Sequence, residues 1–304
     1  MVRDSSTEDK QEVFDLWRQA YPTQDEAYLR FYFDQLYDHG VGLISQMDGR
    51  VVASLEMNYH TLHFQGKQLK CSYILGASTL PDYRRRGHMS ALMESALDEA
   101  RHNCLITLIK AFNPKVYHGF GFEVVYYRKS YTITKAMLHT VSDIRVCKDA
   151  SEKELLDVYK RFTLRFDGYY VRDITYYETL QKELTLGNKH LLVYRNAQKE
   201  VCGYIIYQKK KQDIVIQEAI YLESVVLKRL LKRAIAQQNE VTLIVSDSER
   251  LEKIFPMVIP KKQSYMMARI NNIELYNKLY NVKVKSVEEA FALSKKPHWC
   301  HEYY

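Results

Sequence analysis

Hydrophobic spacing in the first 140 residues changes repeatedly between helical and strand-like periods. Apolar residues recur three and four positions apart over 13–21 and 25–37, which predicts two amphipathic helices. Apolar runs at 41–46 and 51–57 predict two strands, and the Asp48-Gly49 pair between them is typical of a tight hairpin turn. Farther along, the pattern predicts a strand, a helix and two more strands, at 69–79, 90–101, 105–111 and 122–133.

The second half of the sequence repeats this order of elements more faintly. The predicted elements are a helix, a hairpin, a strand, a helix and two strands, at 152–165, 190–194 with 202–208, 213–220, 223–237, 241–246 and 265–270. Two similar element orders in one chain indicate an internal structural repeat. We therefore predict an α/β (α+β) fold with tandem mixed sheets flanked by helices. Its expected segments are 1–140, 141–270 and a short helical tail at 271–304.

The composition narrows the class of protein. The chain has 304 residues, of which 46% are hydrophobic and 27% charged, and this balance is typical of a folded protein. No apolar run approaches the roughly 18 residues of a membrane span, and the polar start MVRDSSTEDK is unlike a secretory signal peptide. Five cysteines without a CxxC spacing predict neither a disulfide framework nor a zinc site, and they favour a cytoplasmic location.

Positive charge is concentrated in the second half. Residues 1–140 hold 16 basic and 16 acidic side chains, whereas residues 141–304 hold 28 and 21, so the net charge of +7 comes from the latter. Lys228, Arg229, Lys232 and Arg233 share one face of a predicted helix. Such a face could bind nucleic acid phosphates. A solvated lysine-rich surface is the favoured alternative, because no recognisable nucleic-acid-binding motif accompanies these residues.

Residues that could bind a ligand cluster between the predicted strand at 69–79 and the helix that follows it. The loop holds Arg84, Arg85, Arg86 and Gly87 directly before the predicted helix. Free backbone N–H groups and the positive end of the helix dipole make such a place an anion site. Gly87 would let the backbone approach a phosphate, and the arginines could add charge-assisted hydrogen bonds. A solvated basic turn is the alternative for the arginines alone.

The six residues Arg84-Arg85-Arg86-Gly87-His88-Met89 resemble motif A of the GNAT acetyltransferase family, Gln/Arg-x-x-Gly-x-Gly/Ala. Met89 departs from that motif, since Gly or Ala is usual there. A second segment, 113–122, resembles the family's Tyr-x-x-x-Gly-Phe through Tyr117 and Gly121-Phe122. The two opening helices and the second half are similar to Eis-type acetyltransferases over roughly residues 1–280. A sterol-carrier-like domain follows in that family, and we expect it to be missing or reduced here, which affects the acceptor pocket.

The resemblance implies acetyl-CoA as co-substrate, a primary amine as acceptor and tandem GNAT-like sheets, the first of which binds the cofactor. It implies backbone contacts to the cofactor from the strand end around Gly76, and a pyrophosphate cradle in the loop. The residues concerned are Ala77, Ser78, Thr79, Arg84, Arg85, Arg86, Gly87, His88, Met89 and Asn113. It further implies that Tyr117 is the general acid, because a phenol with an ordinary pKa near 10 is protonated at neutral pH.

The sequence does not identify the general base, and two candidates are considered. Glu56 on the second predicted strand could act through water, or it could be a solvent-facing residue of an alternating strand. The C-terminal carboxylate of Tyr304 is the other candidate, by analogy with the Eis-type arrangement. His60 and His63 could carry protons, although surface histidines are more common.

The second half lacks the cofactor motif, and Glu218 and Glu223 would repel a pyrophosphate there. We therefore expect a scaffolding role for it. His298 and His301 lie too close together in sequence to surround a metal without other ligands, so no metal is expected. A homo-oligomer is possible, and membrane or nucleic acid partners are not expected. The competing hypothesis is a non-catalytic acyl-CoA-binding or nucleic-acid-associated module that uses the basic second half.

Overall fold

The computed structural model describes residues 1–37, 40–210 and 213–301. The chain divides into two compact units. Unit 1 comprises Met1–Val125 with Tyr265–Leu293, and unit 2 comprises Tyr126–Ser264 with Ser294–Tyr304. In the described residues, no helix is both long and apolar enough to cross a bilayer.

Unit 1 is a mixed sheet with helices on both faces. Its helices are α1 (Lys10–Ala20), α2 (Glu26–Gln35), α3 (His88–Asn103), α4 (Lys115–His118), α8 (Ile273–Tyr280) and α9 (Val287–Ala292). Its strands are β1 (Val2–Asp4), β2 (Val41–Met47), β3 (Arg50–Phe64), β4 (Lys67–Thr79), β5 (Ile106–Ile109) and β13 (Lys261–Ile270). They pair in the order β1-β2-β3-β4-β5-β13, and only the β4–β5 pair within this order is parallel.

The two faces of this sheet are covered by different helices. Strand β3 turns Leu55 and Met57 towards α3, where they pack with Met93 in one core cluster. Ser54 points to the other face, since its Oγ accepts a hydrogen bond from Trp17 of α1. This alternation follows from the two-residue side-chain period of a strand. It gives unit 1 an aromatic layer under α1 and α2 and an aliphatic layer under α3.

Unit 2 repeats the mixed sheet. Its helices are α5 (Glu152–Thr163), α6 (Ile174–Leu184) and α7 (Ser224–Ala234). Its strands are β6 (Glu123–Thr134), β7 (Val146–Cys147), β8 (Tyr169–Tyr170), β9 (Lys189–Arg195), β10 (Val201–Lys210), β11 (Asp213–Tyr221) and β12 (Glu240–Ser246). The order β6-β12-β11-β10-β9-β7 contains one parallel pair, β11–β12. The large mixed sheets flanked by helices confirm the predicted fold class.

Strand pairing divides the chain differently from the predicted segments. The strand predicted at 122–133 as the end of the first half pairs with β12 of unit 2, from Arg128 to Thr134. The strand predicted at 265–270 as the end of the second half pairs with β5 of unit 1, from Met267 to Ile270. Each sheet is therefore completed by a strand from the other half of the sequence. Hydrophobic pattern cannot reveal this, because it identifies a strand but not its partner.

The segment after β13 is shared in the same way. Helices α8 and α9 pack on the β3–β4 hairpin of unit 1, where Tyr280 donates to the Phe64 carbonyl at 2.8 Å and Gln65 to the Ala290 carbonyl at 2.7 Å. From Ser294 onward the chain belongs to unit 2, where the Trp299 side chain is fully buried. The predicted tail 271–304 is thus distributed between the two units.

Candidate active site

Strands β4 and β5 separate within unit 1. Their parallel pairing runs from Cys71–Ile106 to Ile74–Ile109. Strand β5 ends at Ile109, whereas β4 continues to Thr79. The strand edge from Leu75 to Thr79 is therefore released from β5 and can offer its backbone groups to a bound molecule.

A β-bulge bends β4 at the point of separation. Ser54 of β3 faces Ser78, while Glu56 faces Leu75, so one β3 residue lies opposite Gly76 and Ala77 together. Gly76 adopts a left-handed conformation with φ of 63°. A bulge re-aims the strand and increases its local twist, which is a common device beside functional sites.

Helix α1 holds this bulge in place. The Trp17 indole occupies the space that a side chain on residue 76 would need. Its Nε1 donates to Ser54 Oγ at 3.0 Å, and that hydroxyl lies 3.0 Å from Ser78 Oγ. Ser78 therefore belongs to a buried hydrogen-bond chain that reaches α1.

The arginine loop follows β4 and leads into α3. A short 3-10 turn at Pro81–Tyr83 is followed by Arg85 and Gly87, both at positive φ (61° and 87°). Helix α3 begins at His88, two residues before the predicted start at 90. Arg84, Arg85 and Arg86 are all exposed.

Several contacts order this loop without covering its backbone. Arg84 Nε donates to the Thr79 carbonyl at 3.2 Å, and the Arg86 guanidinium lies 5.3 Å from the centre of the Tyr83 ring. His88 Nδ1 lies 2.8 Å from Ser45 Oγ. Nothing lies within 4 Å of the place where a Gly87 Cβ would stand, so the approach to the backbone is open.

The start of α3 has the features of an anion site. The first intrahelical bond runs from Ala91 N to the Gly87 carbonyl, so the N–H groups of residues 88–90 precede it. They point out of the helix at its positive end. Met89, which departs from the family motif, is partly buried against the core shared with α3. Its side chain is thus directed into the protein, and its N–H group still belongs to the first turn of α3.

Tyr117 lies on the short helix α4. Its ring makes an edge contact with Phe122, with ring centres 6.4 Å apart, and it packs on the core beneath α3. Its carbonyl accepts from Phe120 N at 3.0 Å, which closes the turn before Gly121. Burial raises the pKa of its phenol, so the phenol is protonated at neutral pH. Asn113 is exposed and accepts from Lys115 N at 3.3 Å at the start of this helix.

Tyr21 is a residue that sequence reasoning missed. It follows α1, and its hydroxyl donates to the Ala77 carbonyl at 3.1 Å, on the released part of β4. Its pKa is raised to about 12, mainly by burial and further by the Tyr117 phenol. Two tyrosines thus lie at this strand end. No local signal separates Tyr21 from the other 24 tyrosines of the chain.

Glu56 is buried, with 2% of its surface exposed, and so it is not the solvent-facing residue that was one of its two interpretations. It lies opposite Gly42 and Leu75 in the sheet. Its carboxylate neighbours Tyr32 of α2, whose pKa is raised well above the ordinary value by burial and then by Glu56. Asn58 Nδ2 donates to the same Tyr32 hydroxyl at 3.3 Å. The structure thus surrounds Glu56 with polar groups beneath α2.

The other predicted candidates for proton transfer are His60, His63 and Tyr304. His60 follows Glu56 and Asn58 on the same face of β3, and burial lowers its pKa to about 4, so its imidazole is neutral at pH 7. His63 is half-buried near the hairpin end of β3. Tyr304 lies outside the described residues.

In unit 2, the place where the parallel strands β11 and β12 stop pairing is occupied by side chains. The β11–β12 pairing covers Val215–Thr242 and Ile216–Leu243. Two residues farther along β11, the fully buried Glu218 forms an ion pair with Arg172 at 2.6 Å and accepts from Tyr204 at 2.8 Å. A carboxylate already bound by an arginine occupies the place where a cofactor would need donors.

The C-terminal segment also fills this part of unit 2. Trp299 Nε1 donates to Glu249, just after β12, at 3.1 Å. Ser246 Oγ, at the end of β12, donates to the His298 carbonyl at 3.2 Å. His298 Nε2 lies 2.8 Å from Ser294 Oγ. Among the described residues, no group of three or more His, Cys, Asp or Glu side chains could hold a metal ion.

The basic face of α7 makes contacts within the chain. Lys232 Nζ donates to the Leu138 carbonyl at 3.1 Å, and Arg233 pairs with Asp143 at 3.3 Å. Arg229 lies 5.5 Å from the Tyr194 ring centre. Three of the four cations on this predicted face thus contact other residues of unit 2, and one of them, Arg233, forms an ion pair.

Comparison with known proteins agrees with this geometry. Residues 1–125 match the acetyltransferase (GNAT) domain family. The fold is similar to a conserved Enterococcus faecalis protein, titled a probable N-acyltransferase (20% identity, 91% of this chain and 73% of that chain, TM-score 0.79). It is also similar to Eis1 from Mycobacterium abscessus (15% identity, 90% of this chain and 75% of that chain, TM-score 0.70). A third similar structure is a GCN5-related N-acetyltransferase from Kribbella flavida (16% identity, 89% of this chain and 70% of that chain, TM-score 0.70). No curated protein matches the sequence. Residues 1–125 thus match the GNAT acetyltransferase domain family, and the fold of the chain is similar to that of these solved structures.

Proposed function

We propose that unit 1 transfers the acetyl group of acetyl-CoA to a primary amine by direct attack on the thioester. The observation that carries this proposal is the separation of β4 from β5 beside the start of α3. It combines a strand edge released from β5 with a helix N-terminus, which suits a molecule that has both amide groups and a pyrophosphate.

The residues present suit acetyl-CoA as co-substrate. In this proposal the edge at Ala77, Ser78 and Thr79 receives the amide-containing arm. Arg84, Arg85, Arg86 and the N–H groups around Gly87, His88 and Met89 hold the pyrophosphate, because all three guanidiniums are exposed and the space above Gly87 is open. Asn113 provides an exposed amide near Tyr117 in sequence.

Acetyl transfer needs a deprotonated amine, a polarised carbonyl and a protonated leaving thiolate. The amine nitrogen forms the new C–N bond as the C–S bond breaks, and the thiolate takes a proton. In our proposal Tyr117 donates this proton, since its phenol is protonated at neutral pH and half-buried at the edge of the unit 1 core. The amine loses its proton to a base.

Glu56 is our proposed base, most simply acting through water. Its burial beneath α2, on the same sheet face as Trp17, places the carboxylate away from α3 and opposite Leu75 of β4. A buried carboxylate also attracts the ammonium form of an amine. The terminal carboxylate of Tyr304 remains the alternative base. Deleting Tyr304 tests this alternative against Glu56, because the deletion moves the terminal carboxylate by one residue.

Unit 2 has a scaffolding role in this proposal. The Arg172–Glu218 pair and Trp299 occupy the region where its parallel strands separate. The competing hypothesis of a nucleic-acid-associated module gains no support from α7, since Arg229, Lys232 and Arg233 contact residues of the same unit.

The test is calorimetric titration of acetyl-CoA into the intact chain and into two variants, Gly87→Glu and Gly66→Glu. Both glycines have positive φ (87° and 78°) and open space around the missing Cβ, so the two changes add the same charge and similar strain. We expect micromolar binding that Gly87→Glu abolishes and Gly66→Glu preserves. Amine-dependent release of the CoA thiol then reports transfer. An intact chain that does not bind acetyl-CoA would refute the proposal.

A further inference from the structure

Unit 1 contains an open cavity of about 720 Å³, away from the arginine loop. It lies between the middle and C-terminal end of α3, the turn at Gly119–Gly121, the end of β13 and the segment before α9. Neither Tyr117 nor any residue from Arg84 to Met89 lines it. The proposed acetyl transfer gives this cavity no role.

Arg269 is oriented by a hydrogen bond at one side of the cavity. Its Nη1 donates to Asn271 Oδ1 at 2.9 Å. Asn271 is itself buried, and its Nδ2 donates to the Cys104 carbonyl and to Thr107 Oγ1, both at 2.9 Å. The arginine is therefore oriented by a side chain tied to the end of α3 and to β5. Such pre-organisation reduces the entropy lost when a ligand binds.

Gly121 forms the turn beside this arginine. Its φ is 80°, which favours glycine, and the position of its missing Cβ lies 3.5 Å from Arg269 Nε, an ordinary van der Waals distance. The guanidinium thus lies in contact range of the turn. The Gly121 backbone and the Arg269 side chain together form one wall of the cavity.

A second guanidinium, that of Arg101 in the last turn of α3, lines the same cavity. Half-burial lowers the pKa of Arg269, and the charge of Arg101 lowers it further. Within the described residues, neither arginine forms an ion pair. The other charged residues that line the cavity are Lys285, Glu94, Asp98 and Glu123. An anion that contacts both guanidiniums would offset the repulsion between them.

We propose that this cavity binds a small molecule through a carboxylate or phosphate group held by Arg101 and Arg269. A planar guanidinium can donate two parallel hydrogen bonds to either oxyanion. Glu94 and Asp98 lie two turns and one turn before Arg101 on α3, so the rest of the ligand carries hydroxyl or amino groups rather than a second anion. Phe120, Ile270 and Val287 line the cavity with apolar surface that the carbon skeleton of the ligand can contact.

The experiment uses the full chain with inorganic phosphate and with lactate as probes, because each carries one of the two oxyanions. An Arg84→Gln, Gly87→Glu background removes phosphate binding by the arginine loop. In that background, Arg269→Gln and Arg101→Gln are compared with Arg50→Gln, a matched charge change at an exposed position of the β2–β3 turn. Calorimetry gives the affinities, and NMR follows the Gly121 amide and the Arg Nε–H resonances.

We expect at least one probe to bind and to shift the Gly121 amide. We expect affinity to fall about tenfold or more in Arg101→Gln and Arg269→Gln and to be unchanged in Arg50→Gln. Arg101 is exposed, so its variant tests the site even if Arg269→Gln fails to fold. The probe that binds better identifies the oxyanion. Equal affinity in all three variants, or no binding of either probe beyond that of chloride at the same ionic strength, would overturn the proposal.

Discussion

The Trp17 indole packs directly against Gly76, at the bulge where β4 leaves β5. Trp17 also donates to Ser54, and it stacks on Tyr32 with ring centres 5.4 Å apart. One side chain of α1 therefore links the bulged strand to α2. The shape of the released strand edge depends on this contact as well as on the sheet.

Replacing Gly76 by Ala tests this relationship. The added methyl group would overlap the indole, and the left-handed backbone would also be strained. Gly66→Ala is the control, since its φ is 78° and nothing lies near its missing Cβ. We expect Gly66→Ala to lower the free energy of unfolding by roughly 1–2 kcal/mol and Gly76→Ala to lower it by clearly more. Urea denaturation measures both, and equal losses would contradict the packing described here.

Replacing Tyr117 by Phe tests the proposed acid. We expect kcat for acetyl transfer to fall roughly 10²–10⁴-fold, because the leaving thiolate loses its proton donor. The Kd for acetyl-CoA should be nearly unchanged, because the ring still packs on Phe122. Tyr127→Phe removes an exposed hydroxyl and should leave both quantities as they are. Normal turnover in Tyr117→Phe would show that another group donates the proton.

Glu249 should make stability depend on pH. Burial raises its pKa from the ordinary 4.5 to about 7, although it accepts from Tyr221 and Trp299. The folded state thus favours the protonated carboxyl. Its contribution to stability is complete below pH 4.5 and is lost as pH rises towards 7, so this carboxyl should lower the free energy of unfolding over this range.

Glu249→Gln isolates that effect, because an amide does not titrate. The difference in free energy of unfolding between the native chain and the variant should change between pH 4.5 and 7, with the native chain relatively more stable at the acid end. Urea denaturation at several pH values gives this difference. A difference that is constant with pH would show that the pKa of Glu249 is not raised.

The fully buried Trp299 should stabilise unit 2. Its ring lies against Tyr159 and Phe162, with ring centres 6.0 and 5.4 Å apart. We expect Trp299→Ala to cost about 3–5 kcal/mol through lost burial and the cavity left behind. Trp299→Phe should cost less, since it keeps most of the volume and loses mainly the hydrogen bond to Glu249. A small effect of the alanine change would mean that the C-terminal segment is not an integral part of this core.

Local signals in the sequence were sufficient for the arginine loop and for most elements. Asp48-Gly49 turns the β2–β3 hairpin as predicted, with both residues at positive φ. Helix α6, by contrast, was not predicted. It begins Ile-Thr-Tyr-Tyr, residues that favour strands, and its start signal is the Asp173 side chain accepting from Tyr176 N at 3.0 Å.

The sequence by itself determined two mixed α/β halves, a basic loop before α3 and a tyrosine followed by Gly-Phe, because capping, turn chemistry and periodicity act over a few neighbouring residues. Only the tertiary structure decided that β6 and β13 complete the sheet of the opposite half, that Glu56 is buried beneath α2, and that Arg269 and Arg101 line one cavity. These relationships join residues far apart in the chain. They depend on which strand edges and cores are complementary in three dimensions, and no local pattern of residues carries that information.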